Sequence, residues 1–231
     1  HGYLEECYFT YSYSPIRRES GEVGGVLVIV SETTDRVLSE RRLNTLRELG
    51  ERIEKNLMLK STFQAAIATL KNNPSDIPFA LLYSVGQRQF ELIDNTELAE
   101  NSIIAPSVIA YDDQTKWPLK QVADTGEAVL ISDIERRFGR VSAGPWTEWI
   151  TNAIALPIVL LGQEHLQAVL IIGINPRHVL DAKYQDFLTL VAGQITNAAT
   201  NAHAYEVERK RAKAMAIFEN VIASITDPLY A

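Results

Sequence analysis

The sequence predicts an α+β fold, an antiparallel sheet with helices packed on it. Three observations carry this. IPFALLYSV (77–85) and RQFELI (88–93), with Gly86-Gln87 between them, read as a hairpin in which Phe90 and Leu92 alternate with polar residues. NAIALPIVLL (152–161) and HLQAVLIIGI (165–174) are apolar at nearly every position and joined by a turn containing Gly162, so they read as central strands covered on both faces. Helical composition brackets these strands, over 35–58 and from Asp181 to about Ile225.

Ahead of the sheet, EECYFTYSY (5–13) alternates Cys7, Phe9, Tyr11 and Tyr13 with other residues, and GVLVIVSET (25–33) follows a Pro- and Gly-punctuated loop. The two read as a hairpin. A lone hairpin is marginal in water, so it is expected to end a larger sheet or to lean on another element. Thr33 or Thr34 is the expected N-cap of the next helix, with Asp35 in its first turn. Along that helix Leu43, Leu46, Gly50, Ile53 and Leu57 recur at 3-4-3-4 spacing, the seam of a short two-stranded coiled coil. The same stripe would suit a helix lying on the body of its own chain; pairing is preferred because both flanks read as domain edges.

Ser61 and Gln64 read as an S-x-x-Q capping box opening a second helix, whose stripe is Phe63, Ile67 and Leu70 and whose stop is NNP (72–74). Residues 94–114 read as loop with modest strand content. Trp117-Pro118 opens a short helix that Gly126 closes, and EAVLISDI (127–134) reads as a buried strand. Pro157 requires a bulge or a place where no N–H is needed. The last helix, N-capped by Asp181, would run about 65 Å at 1.5 Å per residue. It is expected beside the first, since both leave the domain as long rods. The Ala-rich run AGQITNAATNAHA (192–204) favours close helix approach, within the chain or across a dimer.

Composition narrows the function. A net charge of −7 over 231 residues argues against a nucleic-acid face, which would be basic. RRFGR (136–140) is the local exception; Arg136, Arg137 and Arg140 could hold an anion, with a solvated basic loop the preferred reading. The single cysteine, Cys7, excludes an internal disulfide and a CxxC zinc pair, which fits a reducing, cytoplasmic setting. The longest apolar stretch, AVLIIGI (168–174), is far short of the roughly 20 residues of a membrane span. No signal peptide is evident, and HGYLEECYFTYSY drops straight into a strand, so the chain is expected to begin inside a longer polypeptide.

No catalytic constellation stands out. The sequence has no Walker-type glycine loop, GxSxG elbow, HExxH or dinucleotide fingerprint. Its four histidines (1, 165, 178 and 203) share no metal-ligand spacing, so no metal is expected. Tyr83, Trp117, Trp146 and Trp149 are the candidate lining of an apolar small-molecule pocket; filling the core above the sheet is the competing role.

Two family resemblances rest on quoted residues. YFTYSYSPIRRESGEVGGVLVIVSETTDRVLSERRL resembles the closing strands of a PAS domain and the helix leaving it. NNPSDIPFALLYSV, WPLKQVADTGEAVLISDI and the stretch from ALPIVLL through INPRHVLDAKYQDFLTLVAGQI to ERKRA resemble a GAF domain of bacterial sensor kinases. The resemblance implies C-terminal PAS strands over 1–34, a linker helix over 35–60, a GAF domain over 61–205 and an outgoing helix over 206–231. It further implies a cytoplasmic, dimeric region of a multidomain histidine kinase, acting with other domains of the same polypeptide and a downstream response regulator. A bilin chromophore is disfavoured, because bilin-binding GAF domains attach it to a cysteine inside the domain and Cys7 lies in the PAS-like strand. No cofactor is evident. FENVIASITDPL begins and ends like a phospho-acceptor box, but Ala223 stands where the histidine belongs and Thr226 where the arginine belongs. ASITDPLYA is therefore read as the beginning of another PAS domain. The expected function is non-catalytic signal relay through paired helices, by Leu43, Leu46, Ile53 and Leu57. The alternative is a GAF receptor binding a metabolite in the aromatic pocket.

Overall fold

A computed structural model describes residues 4–226 except 97, 99–101, 114–115 and 163–165, with side chains as far as Glu219. The proposed start of a further domain at 227–231 lies outside the described residues.

Strands β1 (Phe9–Arg17) and β2 (Val23–Glu32) form an antiparallel hairpin with Tyr11 opposite Val30 and Tyr13 opposite Val28. It stands apart from the main sheet, and every residue of β1 is exposed. Helix α1 (Thr34–Ile53) follows, then α2 (Leu59–Leu70). The predicted continuous helix over 35–58 is thus broken at 54–58, and α2 begins two residues before Ser61. Ser61 makes no capping box; its hydroxyl donates to the Met58 carbonyl at 2.9 Å. The first amide of α2, Leu59 N, donates instead to the Glu206 carboxylate at 2.7 Å, a cap supplied from 147 residues away.

The body is a six-stranded antiparallel sheet in the order β5-β4-β3-β8-β7-β6. Its strands are β3 (Ala80–Val85), β4 (Gln89–Asn95), β5 (Val108–Ala110), β6 (Val129–Ile131), β7 (Ala153–Ile158) and β8 (Ala168–Gly173). The all-apolar strand β8 is central and buried throughout, as expected for a strand covered on both faces. Pro157 is accommodated because β6 pairs only with Ala153–Ala155, so β7 has no outer ladder at the proline. Between the strands sit α3 (Leu119–Thr125) and α4 (Ile134–Phe138). Gly126 closes α3 in the left-handed region at φ 66°, as its position after the helix predicts. Helix α4 is absent from the sequence reading; Asp133 starts it and pairs with both Arg136 and Arg137 at 2.5 Å. Arg140 pairs with Glu135 at 3.3 Å. RRFGR is therefore a salt-bridged short helix and its cap.

Helix α5 (Ala182–Thr226) is N-capped by Asp181, whose carboxylate accepts from Tyr184 N at 2.8 Å. One face of the sheet, including Leu82, Leu156, Leu170 and Ile172, packs under α1, α2 and α5. Ala192, Ala198, Ala199 and Ala202 are buried on α5, so the alanine run serves close packing within the chain. The opposite face, with Leu81, Tyr83, Val169 and Ile171, is covered by α3, α4 and the loops around them. Helices α1 and α5 run in the same direction. Asp35 pairs with Lys183 at 2.8 Å near both starts, Gly50 faces Gln194, and Met58 lies 3.9 Å from Arg209 where α5 leaves the body. Among the described residues no helix is long and apolar enough to cross a membrane.

Candidate functional site: a polar hub beside the helices

The candidate aromatics do not gather around one cavity. Tyr83 and Trp117 are fully buried in the second core, and their polar atoms are used: Tyr83 Oη donates to the Pro106 carbonyl at 3.0 Å, and Trp117 Nε1 to that of Ile104 at 2.8 Å. Burial alone pushes the Tyr83 phenol well above its ordinary range. Phe138 packs 4.5 Å from Trp117, ring centre to ring centre, so the face of the sheet is filled by side chains. Trp146 and Trp149 lie in the loop between α4 and β7. Trp146 donates to the Ser75 carbonyl at 3.1 Å under the Arg177 guanidinium, while Trp149 is 43% exposed beneath Arg140. Filling the core, the competing role, describes Tyr83 and Trp117; the other two sit on the surface loop.

The four seam residues also divide. Ile53 is buried in the chain's own core, Leu46 packs half-buried against it, and Leu43 and Leu57 are exposed. The buried stripe of α1 is Leu38, Arg42, Thr45, Leu49 and Ile53.

What the sequence did not reveal is a buried polar hub built on that stripe. Asp76, fully buried in the α2–β3 loop, accepts from Arg41 Nε at 2.7 Å, Arg41 Nη2 at 3.0 Å, Arg42 Nε at 3.2 Å and Asn73 Nδ2 at 3.0 Å. Asn73 also donates to Thr45 Oγ1 at 2.9 Å, tying the loop to α1. The Arg42 guanidinium lies 4.4 Å from the centre of the Tyr184 ring, where its unbonded Nη2 is offset by the ring face. Tyr184 in turn donates to the Asp76 carbonyl. The rest of the Arg41 fork holds Glu6, from the segment before β1: Nη1 to Oε1 at 2.6 Å and Nη2 to Oε2 at 3.1 Å. Asn175 Nδ2, after β8, donates to Glu6 Oε2 at 3.2 Å, and Tyr8 Oη donates to Oε1 at 2.7 Å. Burial pushes both carboxyls up, but for Asp76 the Arg41 and Asn73 bonds outweigh it, and for Glu6 those from Arg41 and Tyr8 do. Both are held below the usual carboxylate range. Burial disfavours the Arg41 charge, yet its two carboxylates raise its pKa above the ordinary value. Nothing in this arrangement offers a nucleophile or a free general base; it joins elements. Among the described residues no group of three or more His, Cys, Asp or Glu is placed to hold a metal.

Two clefts flank the hub. One, of about 490 Å³, is lined by Lys71, Pro74, Pro78, Thr96 and the 142–145 loop; the other, of about 370 Å³, lies between α1 and the α2–β3 loop.

The antiparallel six-stranded sheet with α1, α2 and α5 on one face and α3, α4 and their loops on the other is the architecture of a class of sensory and regulatory domains. The sequence profile described as GAF domain matches residues 56–199, more than half of the chain, and the chain belongs to the GAF domain family. Solved structures agree on the fold. The GAF domain of an Acinetobacter phosphoenolpyruvate-protein phosphotransferase is 14% identical, with a TM-score of 0.51 over 71% of this chain and 95% of that one. A methyl-accepting chemotaxis protein segment (residues 122 to 287) is 16% identical, with a TM-score of 0.51 over 68% and 97%. Free methionine-R-sulfoxide reductase from Neisseria meningitidis, in complex with its substrate, is 13% identical, with a TM-score of 0.52 over 71% and 90%. At such identities the likeness extends to the fold alone. No curated protein matches the chain.

Proposed function

We propose that this chain is a non-catalytic relay region of a cytoplasmic two-component sensor histidine kinase, ending upstream in PAS-type strands and working as a homodimer. The observation that carries the reading is the pair of parallel rods: α1 enters from the hairpin at one end, and α5, running beside it in the same direction, leaves at the other, with the sheet packed alongside. The hairpin supports the PAS assignment. Phe9, Tyr11, Tyr13, Val26, Val28 and Val30 share one face and are all 45–68% exposed, a core-grade surface suited to the remainder of a sheet. Dimerisation is supported by exposed Leu43 on α1 and by Met215 and Phe218 on the outgoing part of α5, each at least 64% exposed. The output would pass to further domains of the same polypeptide and on to a response regulator.

Light scattering of the intact chain tests the pairing: a dimer is expected, and Leu43→Glu should weaken it while leaving the helix content by circular dichroism unchanged, the melting temperature falling only by the share that dimerisation contributes. A wild-type monomer would sink the relay reading. Native mass spectrometry separates the relay from a metabolite receptor. A bare dimer fits the relay, whereas reproducible extra mass would make the receptor the better account. Labelled ATP should leave no phosphate on the chain.

A further inference from the structure

The hub holds two guanidinium groups, Arg41 and Arg42, against two carboxylates, Asp76 and Glu6, and the carboxylates are not equivalent. Asp76 is fully buried and takes its four hydrogen bonds from α1 and its own loop, so it belongs to the body. Glu6 arrives from outside the domain, on the strand-leading segment of the hairpin. Its carboxylate is seated by Arg41 Nη1 and Nη2 and by Asn175 Nδ2, and its amide donates to the Arg177 carbonyl at 3.2 Å. Other bonds of this segment go to the root of α1: Tyr8 N to Thr34 Oγ1 at 3.0 Å and Thr33 N to the Tyr8 carbonyl at 2.8 Å. Those travel with the hairpin, whereas Glu6 reaches further along α1 to Arg41 and, through Asn175 and the Arg177 carbonyl, crosses to the loop after β8.

Withdrawing Glu6 leaves the buried cluster with one surplus positive charge and three donors converging on the vacated seat. That is the chemistry of a carboxylate receptor. The loops it touches are linked onward: Arg177 pairs with Glu148 at 2.9 Å, and Trp146 in the same loop bonds Ser75, next to Asp76.

We propose that the Arg41–Asn175 seat is a carboxylate latch in which Glu6 is the tethered ligand. Its release uncouples the hairpin from the β8–α5 loop and, through the Arg177–Glu148 pair, from the α4–β7 loop, while Asp76 keeps the α2–β3 loop tied to Arg41 and Arg42 of α1. The biological use of the latch rests on the relay reading; its existence does not.

The test is hydrogen exchange on the full chain carrying Glu6→Ala. Amides of 142–149 and 174–180 are expected to exchange about tenfold faster or more, with β3 and β8 unchanged. Acetate at a few hundred millimolar should restore protection, because a free carboxylate can take the seat; the same concentration of chloride should not. Unchanged exchange at 174–180 would overturn the proposal, as would a loosened variant that acetate and chloride affect equally. Should Glu6→Ala unfold altogether, Glu6→Gln, which keeps the side chain's shape and an acceptor for Asn175, is read by local exchange in the same way: faster exchange supports the latch and wild-type exchange refutes it. Light scattering on the same samples keeps the two ideas apart. A monomer that shows the full exchange response retains the latch and loses the relay; a dimer without the response does the reverse.

Discussion

Asp76 is fully buried and accepts four hydrogen bonds, and its ionisation is worth most to the folded state where its neighbours are charged. A carboxyl held below its ordinary range stabilises the fold above the unfolded pKa, and that stability is lost as pH falls through the folded value. Asp76 and Glu6 both have this sign, while Arg41, its pKa raised by these two carboxylates against the effect of burial, stays charged throughout. Stability against urea, followed from pH 7 downward, should therefore fall once the pH drops below the usual carboxylate range of about 4. Asp76→Asn should lower stability by about 3–5 kcal/mol at pH 7, because it leaves the buried Arg42 guanidinium without a carboxylate and Arg41 with Glu6 alone, and it should flatten the acid limb. Gly173 is a second sensitive position. A Cβ there would lie 2.5 Å from two atoms of the buried Phe79 ring, so Gly173→Ala is expected to destabilise by about 1–3 kcal/mol in the same assay.

At the scale of elements, the central strands, Gly126 as a helix stop and Asp181 as a cap were legible, because each depends on local chemistry or an unbroken apolar run. The face of α1 was not. A 3-4-3-4 count of apolar residues selects Leu43, Leu46, Ile53 and Leu57, yet the stripe that packs inward includes Arg42 and Thr45. These are polar residues made compatible with burial by partners up to 34 positions away or on α5. Periodicity weighs hydrophobicity and cannot see such partners. The same reason hid the cap of α2. The S-x-x-Q pattern at Ser61 is local, whereas the group that satisfies Leu59 N is Glu206, across the bundle. Glu206→Ala should therefore cost about 1 kcal/mol, read by denaturant midpoint, while Gln64→Ala should be nearly neutral. Aromatic content likewise gave four pocket candidates without saying that Trp117 and Tyr83 would spend their polar atoms on carbonyls inside the core.

For the whole molecule, the hairpin is the exposed apolar extreme. Replacing the facing pair Tyr13 and Val28 with Lys and Glu should reduce binding of a hydrophobic dye and self-association, with the melting temperature held, since neither side chain packs on the domain. The other extreme is the free length of α5. Beyond Arg209, which touches Met58 as the helix leaves the body, it continues to Thr226, about 25 Å at 1.5 Å per residue. A rod pivoted at one end converts angle into distance, so a tilt of about 5° at the body moves the far tip by roughly 2 Å over that span. In the relay proposed above the Glu206 tie to α2 would be the fulcrum and the domain the short arm of a lever whose long arm carries the displacement away.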